Sequence, residues 1–340
     1  MITGRCVKRG DVLTLPQRFN KIERRKTLSK PHVLLLGAYR GPDMEVLSQA
    51  FHLHKLWEQP DQAAYIKANA NQIRALATRG DLGAKKELID QLPNLEIIAC
   101  NGVGVDAIDL ATCRSRNIKV TNTPGVLNED VADLALALML AIARHIPQAN
   151  AFTRQGHWAT APYPLMTRMN TKRLGVLGMG RIGQAIARRA QGFAMPIAYC
   201  SRKANPDVGY KYYDSAIELA RNSDFLVAIV PGGAGTEKLV NAEVLSALGP
   251  NGYFINVARG SVADEDALLK ALQTNSIAGA ALDVFWNEPN INPNFLKLQN
   301  VVLHPHGGSG THETRQAMFD LVQNNLEAHF SGKELLTPVP

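Results

Sequence analysis

The chain has 340 residues, of which 46% are apolar and 20% are charged. This ordinary globular composition excludes disordered, collagen-like and coiled-coil classes. At about 150 residues per domain, the length favours two domains that each bury a core. Four cysteines stand far apart without a CxxC pair. We therefore expect free thiols of a reducing compartment, the cytoplasm, with no metal site and no disulfide framework.

The formal net charge of +7 is concentrated in one short segment. Residues 1–30 hold nine Lys or Arg and two acidic residues, whereas the remaining chain has 28 basic and 28 acidic side chains. A basic nucleic-acid-binding face spread over the fold is therefore not expected. We interpret the segment as a disordered extension or as residues upstream of the true start. The alternatives are a transit peptide and an arm that binds nucleic acid or an anionic membrane.

A membrane span is not expected, because the longest apolar run, Leu134 to Ala143, is about half the length that a span needs. From Pro31 onward, short apolar runs alternate with amphipathic helical patterns, which predicts parallel sheets crossed over by helices. In the first series the predicted strands are 32–37, 73–78, 95–100 and 118–121, and the predicted helices are 62–70, 84–91, 107–116 and 129–144.

A second series begins after Arg173 with the run LGVLG. It continues with a helix at 181–193 and strands at 197–199, 225–230, 253–258, 278–284 and 301–303. A last amphipathic stretch, 313–330, could cross back to complete the first domain. The predicted fold class is α/β, with two doubly wound parallel-sheet (Rossmann-like) domains and an active-site cleft between them.

The run Gly178-Met-Gly180-Arg181-Ile182-Gly183 matches GxGxxG between a predicted strand and a predicted helix. This is the context that the dinucleotide-binding fingerprint demands. The first glycine allows the tight turn, the second lets backbone approach a pyrophosphate, and the third permits close packing of helix on strand. The helix start would face the pyrophosphate with its amides.

The next strand ends in Ser201-Arg202-Lys203, without the acid that NAD-binding proteins place there to hold the ribose hydroxyls. Two cations and a hydroxyl would attract the 2′-phosphate of NADP. The sequence thus predicts NADP as cofactor, with NADPH preferred over NADH. The alternative interpretation is an exposed basic turn.

Three later strand ends carry ionisable residues beside small ones. They are Arg259 in NVARG, Glu288 in DVFWNEP and His306 in HPHGGS. Because ligands bind outside the carboxyl ends of parallel strands, we expect the three side chains to converge. Together they are suited to reducing a 2-keto acid. His304, two residues before His306, is a competing candidate.

These motifs resemble the D-isomer-specific 2-hydroxyacid dehydrogenase family over residues 31–338. Within it, the similarity is greatest to NADPH-dependent glyoxylate/hydroxypyruvate reductases and their hydroxyphenylpyruvate-reducing relatives. Besides the glycine turn, the motifs are NGVGVD at 101–106, TNTPG at 121–125, VAD at 131–133, VARG at 257–260, DVF at 283–285 and PH at 305–306.

The resemblance implies NADPH-dependent reduction of glyoxylate or hydroxypyruvate to D-2-hydroxy acids. Arg259 would hold the substrate carboxylate and polarise the keto oxygen, and His306 would be the general acid. Glu288 would hydrogen-bond the imidazole and raise its pKa. Backbone amides of Val103 and Gly104 would cradle the carboxylate.

The resemblance also implies further cofactor contacts and the domain limits. The additional cofactor residues are Pro231, Thr236, Val257, Asp283 (to the nicotinamide carboxamide) and His306. Residues 31–126 plus 310–340 would form a substrate-binding, flavodoxin-like domain, and 127–309 the NAD(P)-binding Rossmann domain. A homodimer is the family's habit, and Trp158 sits where some relatives place an aromatic residue that reaches the neighbouring subunit's site.

Four places depart from the family pattern and leave the substrate open: Asn101, Val105, Trp286-Asn287 and Gly307-Gly308. Hydroxyphenylpyruvate and 2-ketogluconate are therefore alternative substrates. Formate or phosphite oxidation is a further alternative, although formate enzymes carry Gln where Glu288 stands. A nucleotide-sensing corepressor on the same fold is the alternative without turnover.

Overall fold

The computed structural model describes residues 30–340, so all of the predicted basic extension 1–30 except Lys30 lies outside the described residues. The strands are β1 (His32–Leu35), β2 (His52–Lys55), β3 (Ile73–Arg79), β4 (Ile97–Asn101), β5 (Lys119–Thr121), β6 (Leu174–Leu177), β7 (Ile197–Cys200), β8 (Lys211–Tyr213), β9 (Phe225–Ala228), β10 (Tyr253–Asn256), β11 (Gly279–Leu282) and β12 (Val301–Leu303). The helices are α1 (Gly41–Ala50), α2 (Gln62–Asn69), α3 (Lys86–Asp90), α4 (Leu110–Ser115), α5 (Asn128–Ala143), α6 (Ile146–Arg154), α7 (Arg181–Gln191), α8 (Ala216–Arg221), α9 (Ala242–Leu248), α10 (Glu265–Gln273) and α11 (His312–Phe330).

The first domain is built on a five-stranded sheet in the order β2-β1-β3-β4-β5, with all neighbours parallel. This is the flavodoxin-like order of a doubly wound sheet. Helix α11 covers one face, where its Phe319, Val322 and Leu326 pack with Val33 and Leu35 of β1. Burying each of these side chains contributes about 1.5–3 kcal/mol. The last helix thus completes the first sheet, as the amphipathic stretch at 313–330 suggested.

The second domain is built on a seven-stranded sheet in the order β12-β11-β10-β9-β6-β7-β8, also parallel throughout. Helices α5 and α7 cover one face, and α8, α9 and α10 cover the other. The strand order reverses direction at β6, between β7 and β9, which is the switch point where such sheets bind ligands. The predicted α/β fold class with two parallel-sheet domains is confirmed, whereas the exact domain limits stay a prediction.

The sequence did not predict α1, β2, α6 and β8, and each has a weak hydrophobic pattern. Strand β2 reads HLHK and β8 reads KYY, and both lie at sheet edges, where polar residues are tolerated. Helix α1 begins with Gly41-Pro42, and α6 has no buried residue. None of the helices among residues 30–340 is long and apolar enough to cross a membrane.

Candidate active site

The Glu288 carboxylate and the His306 imidazole form a close pair on neighbouring strand-end loops, after β11 and β12. His306 Nδ1 lies 2.5 Å from Glu288 Oε2, and the backbone amide of Phe285 donates to Glu288 Oε1 at 2.8 Å. The hydrogen bond to Glu288 raises the pKa of His306 above its ordinary value, against the opposing effects of burial and Arg259. The imidazole is therefore held toward its protonated form.

Asp283 anchors the loop that carries His306. Its carboxylate is 3% exposed and accepts hydrogen bonds from His304 Nδ1 at 2.6 Å and from the amides of Gly307 and Gly308 at 2.7 and 3.0 Å. Its carbonyl oxygen accepts from the His306 amide at 2.8 Å. His304 is thus occupied with Asp283, which separates the two histidine candidates: only His306 pairs with Glu288.

Arg259 follows β10 of the second sheet and reaches residues that follow β4 of the first. Its Nε lies 3.5 Å from Asp106 Oδ2. A Cβ atom on Gly104 would lie 1.9 Å from Arg259 Nη2, so the guanidinium rests directly over the Gly104 backbone. Only glycine leaves room for this contact. The structure therefore brings Arg259 against the predicted carboxylate loop.

The backbone around Val103 and Gly104 offers free hydrogen-bond donors beside that guanidinium. Across residues 30–340, the amides of Val103 and Gly104 have no acceptor. The carbonyl oxygen of Val103 accepts from Asn122 Nδ2 at 2.8 Å, and that of Gly102 accepts from the Thr123 amide at 2.9 Å, which fixes the loop. Two unpaired amides next to a permanent cation form a concavity suited to a carboxylate.

Four charged residues near this cleft have no role in the sequence analysis: Arg79, Asp81, Asp106 and Arg315. Arg79 Nη2 and Asp81 Oδ2 pair at 2.6 Å just after β3. Burial acts to raise the pKa of Asp81, but the Arg79 hydrogen bond, with a smaller effect from His306, brings it below its ordinary value. Burial lowers the pKa of Arg315, and the positive charge of Arg79 lowers it further.

The strand-end rule that identified Arg259, Glu288 and His306 could also have identified the first-sheet residues of this set, since Arg79 ends β3 and Asp81 and Asp106 follow β3 and β4. Arg315 lies on α11, so only the fold brings it there. Trp158 is placed apart from this group, on a short turn after α6, with 69% of its surface exposed.

The glycine turn has the geometry that a pyrophosphate needs. Gly178 has φ +104°, and a Cβ there would lie 2.6 Å from the Ile229 carbonyl oxygen; a Cβ on Gly183 would lie 2.0 Å from the Gly178 carbonyl oxygen. Gly180 borders open space. In the part of the chain that the structure describes, the amides of Arg181, Ile182 and Gly183 at the start of α7 have no acceptor. These unpaired donors at a positive helix end fit a dinucleotide phosphate.

The turn after β7 also fits the predicted cofactor. Arg202 and Lys203 are exposed, and neither pairs with a carboxylate within 4.0 Å among the described residues. Ser201 Oγ donates to the Lys203 carbonyl oxygen at 2.7 Å and tightens the turn. Two unpaired cations at the end of the second strand of this sheet are suited to an added phosphate.

The other predicted cofactor residues lie on loops along the same strand-end edge. The hydroxyl of Thr236 donates to the Pro231 carbonyl oxygen at 2.6 Å after β9. Val257 follows β10 and is buried, and Asp283 follows β11 with its carboxylate already accepting three hydrogen bonds. The structure thus places all of them on one edge of the second sheet.

Comparisons with known proteins identify the family. Residues 136–308 match the model of the NAD-binding domain of D-isomer-specific 2-hydroxyacid dehydrogenases. Over 293 residues, the chain is 48% identical to glyoxylate/hydroxypyruvate reductase A of Arabidopsis thaliana and 48% identical to hydroxyphenylpyruvate reductase of Plectranthus scutellarioides, covering 86% of this chain and 94% of each relative.

A solved structure is also similar. The NADPH-dependent glyoxylate/hydroxypyruvate reductase of Sinorhizobium meliloti, in complex with NADP and malonate, superposes with a TM-score of 0.87 at 45% identity, covering 92% of this chain and 97% of that one. The fold and these matches show that the chain belongs to the D-isomer-specific 2-hydroxyacid dehydrogenase family.

Proposed function

We propose that the chain reduces small 2-keto acids, glyoxylate and hydroxypyruvate first, to D-2-hydroxy acids with NADPH. One observation carries this proposal: Arg259 lies against the Gly104 backbone, beside the unpaired amides of Val103 and Gly104. Arg259 is also on the same strand-end edge as the His306–Glu288 pair. Reduction of a 2-keto acid needs a group that anchors its carboxylate and a group that donates a proton to its keto oxygen. Because the carboxylate and the keto group are adjacent, both groups must line one cleft.

The substrate carboxylate would bind to the amides of Val103 and Gly104 and to the guanidinium of Arg259. The Arg259–Asp106 contact of 3.5 Å is longer than the 2.7–2.9 Å of a strong charge-assisted hydrogen bond. Asp106 therefore orients the guanidinium without saturating it. The remaining N–H groups of Arg259 would polarise the keto oxygen.

The bound nicotinamide would supply the hydride that the keto carbon accepts. As the C=O π electrons move onto the oxygen, His306 would donate the proton that completes the hydroxyl group. Because Nδ1 of His306 faces Glu288, the proton would leave from Nε2, which has no partner among residues 30–340. Glu288 would stabilise the imidazolium before the transfer and keep the ring in its orientation afterwards.

The cofactor would lie along the strand-end edge of the second sheet. Gly178, Gly180, Arg181, Ile182 and Gly183 would hold the pyrophosphate through the amides at the start of α7. Ser201, Arg202 and Lys203 would hold the 2′-phosphate.

Pro231, Thr236, Val257 and Asp283 would line the rest of the dinucleotide site. The Asp283 carboxylate has about four lone-pair positions and uses three within the chain, so one stays available to the nicotinamide carboxamide.

The identity of the keto acid is less sharply constrained than the reaction. The relatives include a glyoxylate/hydroxypyruvate reductase and a hydroxyphenylpyruvate reductase at the same 48% identity. Gly307 and Gly308 allow close packing of the loop, since a Cβ on Gly307 would lie 2.4 Å from His304 Cε1 and one on Gly308 would lie 3.1 Å from Asp283 Oδ2. Hydroxyphenylpyruvate and 2-ketogluconate stay alternative substrates, in line with the relatives that are named reductases of each.

The active assembly would be a homodimer. Ile146, Trp158, Leu165 and Met166 are exposed by 52%, 69%, 100% and 37%, all within the segment 146–166. Apolar side chains this exposed in one segment are typical of a surface covered by another protein. A second copy would cover them, with Trp158 near the neighbouring substrate site. The free thiols of Cys100, Cys113 and Cys200 support the cytoplasm as its compartment.

The test of the reaction is loss of reduced-cofactor absorbance with glyoxylate, hydroxypyruvate, 4-hydroxyphenylpyruvate and 2-ketogluconate. We expect turnover of at least one of them, and a loss of about 10²- to 10⁴-fold in kcat for His306→Ala with cofactor binding kept, since a general acid is removed. His304→Ala is not a neutral control, because it removes one of the three donors to the buried Asp283 carboxylate, so His312→Ala serves. Absence of turnover with tight nucleotide binding would favour the corepressor alternative.

Replacing Glu288 by Gln should shift the pH dependence of reduction. The protonated imidazole is the reactive form, so kcat/KM for the keto acid falls as pH rises through the pKa of His306. Glu288 raises that pKa. Removing its charge moves the falling limb to lower pH. The pH profile of kcat/KM measures this shift, and Glu87→Gln, an exposed site on α3, should leave it unchanged. An unshifted profile in Glu288→Gln would contradict the assigned pair.

Replacing Arg202 by Ala should weaken the binding of NADPH by about 10- to 100-fold and the binding of NADH much less. Only NADPH carries the 2′-phosphate that a charge-assisted hydrogen bond would hold. Dissociation constants from quenching of protein fluorescence report both affinities. Arg168→Ala, another exposed arginine, is the matched control. Equal losses of affinity for the two nucleotides in Arg202→Ala would contradict a role of Arg202 in binding the 2′-phosphate.

Replacing Leu165 by Asp should convert the dimer to a monomer, because a charge would be buried in the interface. Light scattering after size-exclusion chromatography gives the mass of each species. Leu296→Asp, at a leucine that is 65% exposed elsewhere, should stay dimeric. A monomeric parent chain, or a dimer that survives Leu165→Asp, would refute the assignment of this surface.

A further inference from the structure

Three histidines gather on one face of the first sheet, at its edge. His32 of β1 pairs in register with His52 of β2, and His54 follows two residues later on the same face. The ring centroids are 4.4 Å apart for His32 and His52, and 5.0 Å apart for each of the other two pairs. Three imidazoles thus form a compact triangle that the proposed reaction does not use.

The ring nitrogens of this triangle are close to the spacing of metal ligands. His32 Nδ1 lies 2.8 Å from His54 Nε2, and one nitrogen from each of the three rings lies within 4.8 Å of the others. Two nitrogens on one tetrahedral zinc, at Zn–N distances of 2.0–2.1 Å, are about 3.3 Å apart. Small side-chain rotations would therefore bring all three into one coordination sphere.

The surroundings match a metal site as well. Tyr65 Oη lies 2.8 Å from His54 Nδ1, the position of the outer-shell hydrogen bond that orients a metal-ligating histidine and directs its Nε2 to the ion. His54 is buried, His32 is half-buried and His52 is exposed, so the triangle opens to solvent on one side. That side provides an entry path and room for a water ligand.

The His32 and His54 imidazoles are hydrogen-bonded to each other. The two nitrogens that face each other at 2.8 Å share a single proton, which a divalent ion would replace.

We propose that His32, His52 and His54 form a binding site for one first-row divalent transition-metal ion, zinc foremost. Imidazole ligands suit Zn²⁺, Ni²⁺ and Cu²⁺, whereas Mg²⁺ and Ca²⁺ take oxygen ligands. The ion would link β1 to the edge strand β2 and stabilise their pairing. His32 and His52 begin their strands, so the site lies at the end of the sheet opposite the catalytic cleft. Its function would be structural.

The experiment uses the full chain without an affinity tag, stripped with a chelator. Calorimetric titration with Zn²⁺ should give one ion per chain, and Co²⁺ should give the visible absorption bands of nitrogen-ligated, tetrahedral cobalt. Zn²⁺ should also raise Tm by several degrees, because an ion that binds only the folded state stabilises it. No saturable binding of either ion would overturn the proposal.

Two variants and a control locate the ion. His52→Ala, at an exposed ligand, should weaken Zn²⁺ at least tenfold and remove the Tm increase, since losing even an outer-shell partner costs about 10- to 100-fold in affinity. Tyr65→Phe should weaken Zn²⁺ by about tenfold with all three ligands kept. His312→Ala, an exposed histidine on α11, should bind like the parent chain. Unchanged Zn²⁺ affinity in both test variants, or an equal loss in His312→Ala, would refute the site. Keto acid turnover should be the same in all three variants.

Discussion

The loop that carries His306 depends on one buried carboxylate. Asp283 is almost inaccessible to water, and burying an unpaired carboxylate would be strongly unfavourable. Three donors replace its lost hydration: the amides of Gly307 and Gly308 and the His304 imidazole. The same contacts fix the backbone on both sides of His306, which has φ +49°, a conformation that disfavours non-glycine residues. The carboxylate and the loop therefore stabilise each other, and His306 is directed at Glu288 as a result.

A parallel sheet explains why the remaining groups meet. Glu288 and His306 follow adjacent strands β11 and β12, and Arg259 follows β10, so three consecutive sheet positions supply the three side chains. The amides that are proposed to bind the substrate carboxylate come from the other sheet, after β4. Substrate would thus bind where the carboxyl ends of two sheets face each other, and the Arg259–Asp106 contact already spans that gap. Neither sheet alone carries all the residues of the proposed site.

Much of the fold and of the candidate site was predictable from the sequence, because both depend on local patterns. The apolar strands, the glycine turn and the strand-end residues are short motifs whose geometry follows from chain neighbours. Arg315 lies on a helix at the far end of the chain, and its place by Arg79 follows from α11 returning to the first sheet. The edge strands β2 and β8 lack apolar alternation, because only their pairing, not their burial, makes them strands. Asp106 belongs to the motif NGVGVD, but its contact with Arg259 depends on how the two sheets face each other.

The histidine triangle could not be predicted from local sequence patterns either. His32 and His52 are far apart in sequence, and neither lies in a recognisable metal motif. They become neighbours because β2, the strand that sequence patterns miss, pairs with β1 in register. Since active-site loops leave the carboxyl ends of the strands, chemistry at the amino ends is largely independent of catalysis. A family can therefore vary that end of the sheet without changing the reaction. An edge strand with polar residues gains the most from an added link, because it has only one neighbour to hold it.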